Sequence, residues 1–134
     1  MRLIHDTDWL EIDAAQPVDP DVLLNVSFHV SGFSGADQSW VARRDWDGFL
    51  ADLCALEASR RGAALLAGAN PEEFQLRFYT YDSVGHTAVD GMLARKNGGS
   101  LVEFGARIEF RMPFEPDQLL SVLREFQGYT QPQT

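Results

Sequence analysis

The chain has 134 residues, with 20 acidic side chains against 11 basic ones and a formal net charge of -9. This length fits one domain, residues 1–134, whose core needs neither a metal ion nor a disulfide. A negative field repels phosphate backbones and anionic lipid, which argues against nucleic-acid and membrane-surface binding. No signal-like N-terminal run and no apolar stretch of about 20 residues is present, so we expect a cytoplasmic protein.

The acidic residues are concentrated toward the N-terminus. Residues 1–52 hold 10 acids and 3 bases, a net charge of -7, whereas residues 53–134 hold 10 acids and 8 bases, a net charge of -2. An acidic surface attracts a basic partner, although acidic composition also serves solubility alone. The charge pattern by itself leaves both explanations open.

The first part of the chain predicts three strands. A short apolar alternation within residues 1–13 fits an edge strand, and a loop rich in proline and aspartate follows it. Residues 23–30 alternate apolar and polar side chains, which predicts the second strand. Two glycines in Gly32–Gly35 predict a reversal into a third strand, roughly Gln38–Arg43, with Trp40 as its core contact.

A helix is predicted next, because Asp45 stands in an N-cap position and apolar residues follow at helical spacing. The apolar positions are Trp46, Phe49, Leu50, Leu53 and Leu56. The helix is expected to run to about Arg60, with Gly62 placed to end it. Cys54 is the single cysteine and cannot form an internal disulfide; its place in this pattern predicts a small buried residue.

The second half of the chain predicts mainly strands. Residues 63–66 are too short to classify, and residues 74–79 alternate as a strand. A hairpin loop at Asp82–His86 leads into a strand from Thr87 to Arg95. Asn97–Gly98 predicts a further hairpin, because both residues tolerate positive φ.

The longest alternation in the chain, Val102–Met112, predicts a strand with one buried and one solvent-facing side. Pro116 and Gly128 mark the ends of a final helix with an apolar stripe. The predicted class is therefore α+β, a mainly antiparallel sheet of about six to seven strands with two amphipathic helices. The order is strands, helix, strands and C-terminal helix.

Residues that could carry chemistry are few and scattered. His5, His29 and His86 are far apart in sequence and lack the spacing of metal ligands. Asp82, Ser83 and His86 contain the residue types of a catalytic triad, but one hairpin loop does not hold a base and a nucleophile rigidly. We therefore interpret them as an ordinary turn, and we predict no catalytic residue, no cofactor site and no metal site.

A family resemblance rests on seven segments taken in chain order. They are Gly32–Gly35, Asp45–Leu53, Gly62–Leu66, Phe74–Phe78, Gly85–Gly91, Leu101–Phe110 and Leu119–Leu123. Their layout resembles the WapI-type immunity proteins of bacterial polymorphic toxin systems. In that family a GF-x-G turn, an x-x-F-x-x-FL-x-x-L helix, a glycine-containing strand pair and a last strand plus helix recur. The resemblance covers residues from about Leu23 to Phe126.

The resemblance implies a non-catalytic protein that binds and occludes a cognate toxin made by the same cell. A nuclease toxin must present positive charge to phosphates, and an acidic inhibitor can cover that surface. We therefore expect the partner-binding surface on the acidic N-terminal third. The expected residues are Asp6, Asp8, Trp9, Asp13, Asp19, Asp21 and Asp37.

Two other functions remain open from the sequence. An acidic effector or secretion chaperone, or a related adaptor, would bind its partner through exposed apolar patches, usually as a dimer. A small-ligand-binding protein or an enzyme would instead enclose a pocket with His29 or His86 at its wall.

Overall fold

The computed structural model describes residues 1–17, 19–98 and 103–130. Within them, a four-stranded meander, a helix, a second four-stranded meander and a C-terminal helix follow one another. The elements are β1 (Arg2–His5), β2 (Asp8–Ala14), β3 (Val22–Val30), β4 (Phe33–Val41), α1 (Arg43–Ser59), β5 (Ala63–Ala67), β6 (Phe74–Thr80), β7 (Thr87–Gly98), β8 (Glu103–Phe114) and α2 (Gln118–Tyr129). All strand pairs are antiparallel.

The predicted α+β class is confirmed, but the strand count and sheet number differ from the prediction. The described residues form eight strands in two sheets, because β4 and β5 are separated by α1 and do not pair. The predicted edge strand at residues 1–13 is a hairpin that turns at Asp6, whose φ is 53°. Residues 63–67, which the sequence left unclassified, form an edge strand paired with β6.

Two segments that were predicted as turns are wholly or partly in strands. The β3–β4 turn consists of Ser31 and Gly32 with φ values of 54° and 84°, so the rest of the Gly32–Gly35 segment belongs to β4. Asn97 and Gly98 lie inside β7, where they pair with β8. The predicted antiparallel pairing of these two strands is confirmed. Residues 99–102, which include Val102, the predicted start of the last strand, lie outside the described residues.

One buried cluster joins the inner faces of the two sheets. Phe28 of β3 and Phe110 of β8 stack with ring centroids 4.3 Å apart. Each ring lies over a cross-strand glycine, Phe28 over Gly35 and Phe110 over Gly91. A Cβ at Gly35 would lie 2.8 Å from the ring of Phe28, so both glycines make room for the aromatic pair.

The two helices contribute the remaining core side chains. The buried ones are Trp46, Phe49, Leu53 and Leu56 in α1 and Leu119, Val122, Leu123 and Phe126 in α2. Trp46 meets Phe126 edge-to-face at 5.4 Å, and Phe49 reaches Phe78 of the second sheet at 6.0 Å. The helices therefore pack on each other and on the sheets through aromatic rings.

The ends of both helices differ from the predictions. Helix α1 begins at Arg43, whose backbone N–H donates to Asp21 Oδ1 at 3.1 Å, so Asp45 is a first-turn residue and not the N-cap. Arg60 takes the left-handed conformation and ends α1 before Gly62. Helix α2 continues through Gly128, its predicted end, to Tyr129.

Two predicted core residues face solvent. Trp40 is 47% exposed, because alternation along β4 gives the inner position to its fully buried neighbour Val41. Cys54 is exposed because it lies about 100° around the helix from Leu53, the residue that enters the core. Within the described residues, neither helix is long and apolar enough to cross a membrane.

Candidate interaction surfaces

The first sheet turns one face away from the core, and every side chain on that face is exposed or half-buried. We call it the outer face of the N-terminal sheet. Its residues are Arg2, Ile4, Trp9, Glu11, Asp13, Leu23, Asn25, Ser27, His29, Ser34, Ala36, Gln38 and Trp40. Alternation puts them here because their strand neighbours fill the core.

Apolar side chains form two pairs at opposite corners of this face. Ile4 and Trp9 are cross-strand partners on β1 and β2, and Leu23 and Trp40 are partners on β3 and β4. Ile4 is 51% exposed and Trp40 47% exposed. The guanidinium of Arg2 lies 5.5 Å from the centre of the Trp9 ring. Exposed aromatic side chains of this kind are the usual anchors of protein interfaces.

Polar side chains separate the two apolar pairs. Gln38 donates to Asn25 across the strands at 2.7 Å, and His29 Nδ1 lies 2.8 Å from the Ser34 hydroxyl. These polar groups bind each other on an open sheet.

The predicted partner-binding aspartates lie mainly at the two ends of this face. Asp6 is in the β1–β2 turn, and Asp8 accepts a hydrogen bond from the Ser31 backbone N–H at 3.0 Å at the same end. Asp13, Asp19 and Asp21 lie at the other end, near the start of β3. At about 3.3 Å per residue, five strand residues separate the two groups by roughly 17 Å.

Asp37 does not join either group. Its side chain is on the opposite side of the sheet from Trp9, where it forms an ion pair with Arg95 of β7 and also accepts a hydrogen bond from the Gln38 N–H. The structure thus places Asp6 and Asp8 at one end of this face and Asp13, Asp19 and Asp21 toward the other end. It places Asp37 at the contact between the two sheets.

A polar cluster lies beside Asp13. The Met1 ammonium donates to Ile12 O, Asp13 Oδ1 and Tyr129 Oη at 2.7–3.0 Å, and its distance to Glu125 Oε2 is 2.9 Å. Tyr129 in turn donates to Ile12 O at 2.7 Å. Burial, and then the negative charge of Asp13, raise the pKa of Tyr129 well above its ordinary value of 10.0. This cluster ties α2 to the N-terminal hairpin.

A second surface is a cleft of about 460 Å³ on the outer face of the second sheet. Three arginines reach into it, Arg77 from β6 and Arg107 and Arg111 from β8. Met92 lies at its floor and is only 6% exposed. We call this the arginine cleft.

The polar contacts of the arginine cleft are centred on Asp90. Its Oδ1 accepts hydrogen bonds from Tyr79 Oη at 2.8 Å and Arg111 Nε at 3.0 Å. Burial first, and then the hydrogen bond to Asp90, raise the pKa of Tyr79. The same carboxylate raises the pKa of Arg111. Tyr79 thus stays a neutral donor, and Asp90 holds Arg111 in place.

The hairpin that contains Asp82, Ser83 and His86 is a capped turn. Asp82 Oδ1 accepts the backbone N–H groups of Val84, Gly85 and His86, each at 3.0 Å, and Oδ2 lies 2.5 Å from His86 Nδ1. The hydrogen bond from His86 lowers the pKa of Asp82. Ser83 is exposed, and the contacts of Asp82 account for the turn itself.

Among the described residues, no group of three or more histidine, cysteine or acidic side chains is arranged to hold a metal ion. The lining of the arginine cleft includes neither His29 nor His86. The cleft itself was missed at the sequence level. The sequence feature that indicates it is the presence of Arg77, Arg107 and Arg111 at solvent-facing positions of two alternating segments.

No protein-family model matches this chain, and neither a curated protein nor a solved structure matches it significantly.

Proposed function

We propose that this protein is a non-catalytic inhibitor that binds a basic partner protein through its N-terminal sheet. The proposed class is an immunity protein that neutralises a cognate toxin domain of the nuclease type in the cytoplasm of the cell that makes both. The WapI-type pattern in the sequence suggests this class. The observation that carries the binding surface is the pair of exposed apolar corners, Ile4 with Trp9 and Leu23 with Trp40, between two acidic ends.

This arrangement shares two features with protein interfaces, which are aromatic and apolar anchors and a polar rim that stays partly solvated. Here the anchors are on rigid strands, and the rim consists of Asp6 and Asp8 at one end and Asp13, Asp19 and Asp21 at the other. Rigid anchors lose little side-chain freedom when a partner binds.

The size of the face sets how much of the molecule a partner must contact. Four strands about 4.8 Å apart and roughly 20 Å long give a flat area of about 300 Å². A stable protein interface buries about 800 Å² on each partner. A partner that uses this face must therefore also contact the acidic loops at its two ends, which is where the charge is complementary to a basic protein.

The charge of this region supports the same conclusion. Residues 1–41 hold 7 acidic residues and 1 basic residue, Arg2, a net charge of -6. A basic nuclease surface would be steered toward such a region, and binding there would cover the groups that contact phosphates. Association is then expected to slow as salt is added.

The test uses the domain encoded at the C-terminal end of the neighbouring large secreted protein, if the adjacent reading frame encodes one. Purified inhibitor and domain are mixed, and association is followed by stopped-flow fluorescence. The double variant Asp6→Lys, Asp19→Lys should associate roughly tenfold more slowly at low salt. Trp40→Ala should mainly raise the dissociation rate, because truncating an aromatic anchor removes packed contacts.

The matched control is Asp45→Lys, Asp52→Lys, which makes the same change in net charge on the exposed side of α1. If association slows equally in both double variants, net charge alone explains the effect and the N-terminal face is not the binding surface. If the domain does not bind the unchanged protein at all, the proposed function is wrong. A partner that is bound only while unfolded would indicate a chaperone.

A further inference from the structure

We propose that the arginine cleft is a binding site for a small organic anion, one that joins a carboxylate or phosphoryl group to a compact apolar part. This inference does not rest on the proposed function, because the cleft belongs to the second sheet and shares no residue with the outer face of the N-terminal sheet.

The register of the second sheet brings the charged groups together. Arg77, Asp90 and Arg111 are direct cross-strand neighbours on β6, β7 and β8. Asp90 is only 25% exposed, and its Oδ1 already accepts from Tyr79 and Arg111. This carboxylate therefore positions Arg111 while leaving part of its guanidinium fork for another acceptor.

Arg77 is the cation that a ligand would meet. Its guanidinium lies over the Tyr79 ring at 4.2 Å, and among the described residues it has no carboxylate within salt-bridge distance. The ring fixes the orientation of the guanidinium without using its N–H donors. Arg77 thus presents a preorganised fork with free donors to the cleft.

Arg107 adds a third cation at the other end of the cleft. It pairs with Glu109 two residues along the same strand at 2.5 Å, and both side chains are more than 60% exposed. Exposed pairs of this kind contribute little and exchange readily for another anion. The cleft holds three arginines against two carboxylates, Asp90 and Glu109, which is a local excess of positive charge in a chain of net charge -9.

The floor and one wall of the cleft are apolar. Met92 lies between Gln75 and Glu109 in the cross-strand register, and Leu65 lies beside Arg77 on β5. Leu65 is 55% exposed. Met92 is covered by the surrounding long side chains and can adapt its shape. A ligand with an apolar part would cover the exposed Leu65 and lie next to Met92 while its anionic group binds the arginines.

The volume and charge limit the class of ligand. A cleft of about 460 Å³ is within the range of about 300–1,000 Å³ for small-molecule sites. A long polyanion would be repelled by the remaining charge of the chain, whereas a single mono- or dianion would experience mainly the local arginines. Guanidinium forks match the geometry of both carboxylate and phosphoryl oxygens.

The experiment measures binding of three probes to the full chain: inorganic phosphate, phenyl phosphate and benzoate. Calorimetry and ¹³C-methyl NMR of Met92 are run at constant ionic strength, with chloride as the reference anion. We expect phenyl phosphate or benzoate to shift the Met92 methyl signal at millimolar concentration or below. A stronger response to one of them than to the other identifies the anionic group.

The decisive variants are Arg77→Gln and Arg107→Gln, with Arg124→Gln on the exposed side of α2 as the control. Each cleft variant should weaken probe binding roughly tenfold, which corresponds to the loss of one charged hydrogen bond. The control variant should bind as the unchanged protein does.

Two results would overturn the proposal. One is an equal response of the Met92 methyl to chloride and to every probe. The other is unchanged probe binding in both cleft variants. Circular dichroism and the Met92 signal of the ligand-free variants show whether each variant retains the fold. Arg77 and Arg107 are on different strands, so if one variant does not fold, the other variant alone decides the test.

Discussion

Replacement of Gly91 by alanine tests the contact that joins the two sheets. Gly91 faces Phe110 across β7 and β8, and a Cβ at this position would overlap the Phe110 ring. The ring cannot simply move away, because Phe28 stacks on it at 4.3 Å and is itself 1% exposed. Phe28 in turn lies over Gly35. A methyl group at residue 91 therefore strains a column of two rings between two glycines.

The expected change in the free energy of unfolding is the sum of two opposing effects. Alanine in place of glycine normally favours a strand by about 0.5–1 kcal/mol, since the unfolded chain loses freedom. An extra methyl group in a packed core costs about 1–3 kcal/mol. The expected net effect is a loss of about 1–2 kcal/mol in the free energy of unfolding. For a chain of this length, that lowers Tm by roughly 3–10 °C.

The assay is urea unfolding followed by tryptophan fluorescence, for Gly91→Ala alone and together with Phe110→Leu. In the Phe110→Leu background the added methyl has room, so alanine at residue 91 should be neutral or stabilising. Gly48→Ala is the control, because a Cβ there would meet no described atom within 4 Å on the exposed side of α1. It should stabilise by about 0.5–1 kcal/mol. If Gly91→Ala stabilises the wild-type protein, or if its effect is the same with and without Phe110, the Phe110 ring does not limit the space at residue 91.

Two further predictions concern hydrogen-bonded clusters. Tyr129→Phe should lower the free energy of unfolding by about 1 kcal/mol near neutral pH, because it removes the hydrogen bond to Ile12 O. The folded-state pKa of Tyr129 is raised above 10.0, so its contribution is complete below pH 10 and is lost as pH rises further. Urea unfolding between pH 8 and 11 should therefore show a shallower alkaline decline in the variant, and an identical decline would contradict the assignment. Asp82→Ala should speed amide hydrogen exchange at Val84, Gly85 and His86 while leaving exchange in β6 unchanged. Because the pKa of Asp82 is lowered, the unchanged protein should keep this protection until pH falls through that lowered value, and protection that persists in the variant would show that the turn needs no cap.

The sequence predicted the elements where burial imposes a regular period. Alternation found the β3 and β8 strands, and apolar spacing found both helices. Alternation did not predict which side chains of β4 face the core. The inner positions of β4 include Gly35, Asp37 and Ser39, which give no apolar signal. Trp40 was therefore assigned to the wrong face.

Turn positions were harder to predict than strands. Glycine marks a reversal only where a positive φ is needed, as at Gly32 with φ 84°. Gly35 and Gly91 serve a different purpose, which is to admit an aromatic ring from the neighbouring strand. Nothing local distinguishes the two uses, since the second depends on the register that sets Phe28 against Gly35.

The candidate surfaces depend on register even more strongly. The sequence suggested seven partner-binding residues because acidic side chains are concentrated in the N-terminal third. The fold places six of these residues around the outer face of the N-terminal sheet, whereas Asp37 pairs with Arg95 on the other side. The arginine cleft could not be found this way, because Arg77 and Arg111 are 34 positions apart in the chain and meet only through Asp90. Counting charges along the chain does not reveal that Arg77, Asp90 and Arg111 are cross-strand neighbours.

The two surfaces are expected to be energetically independent. They belong to different meanders, which are joined through the Phe28–Phe110 stack and the helices and do not share a strand. Residues 1–41 carry a net charge of -6, whereas residues 63–114 hold six acids and five bases. Substitutions on separate surfaces without common contacts usually add within about 0.5 kcal/mol. The double variant at Asp6 and Asp19 should therefore leave anion binding at Arg77 unchanged, and Arg77→Gln should leave the association of a basic partner unchanged, so that each proposal can fail without the other.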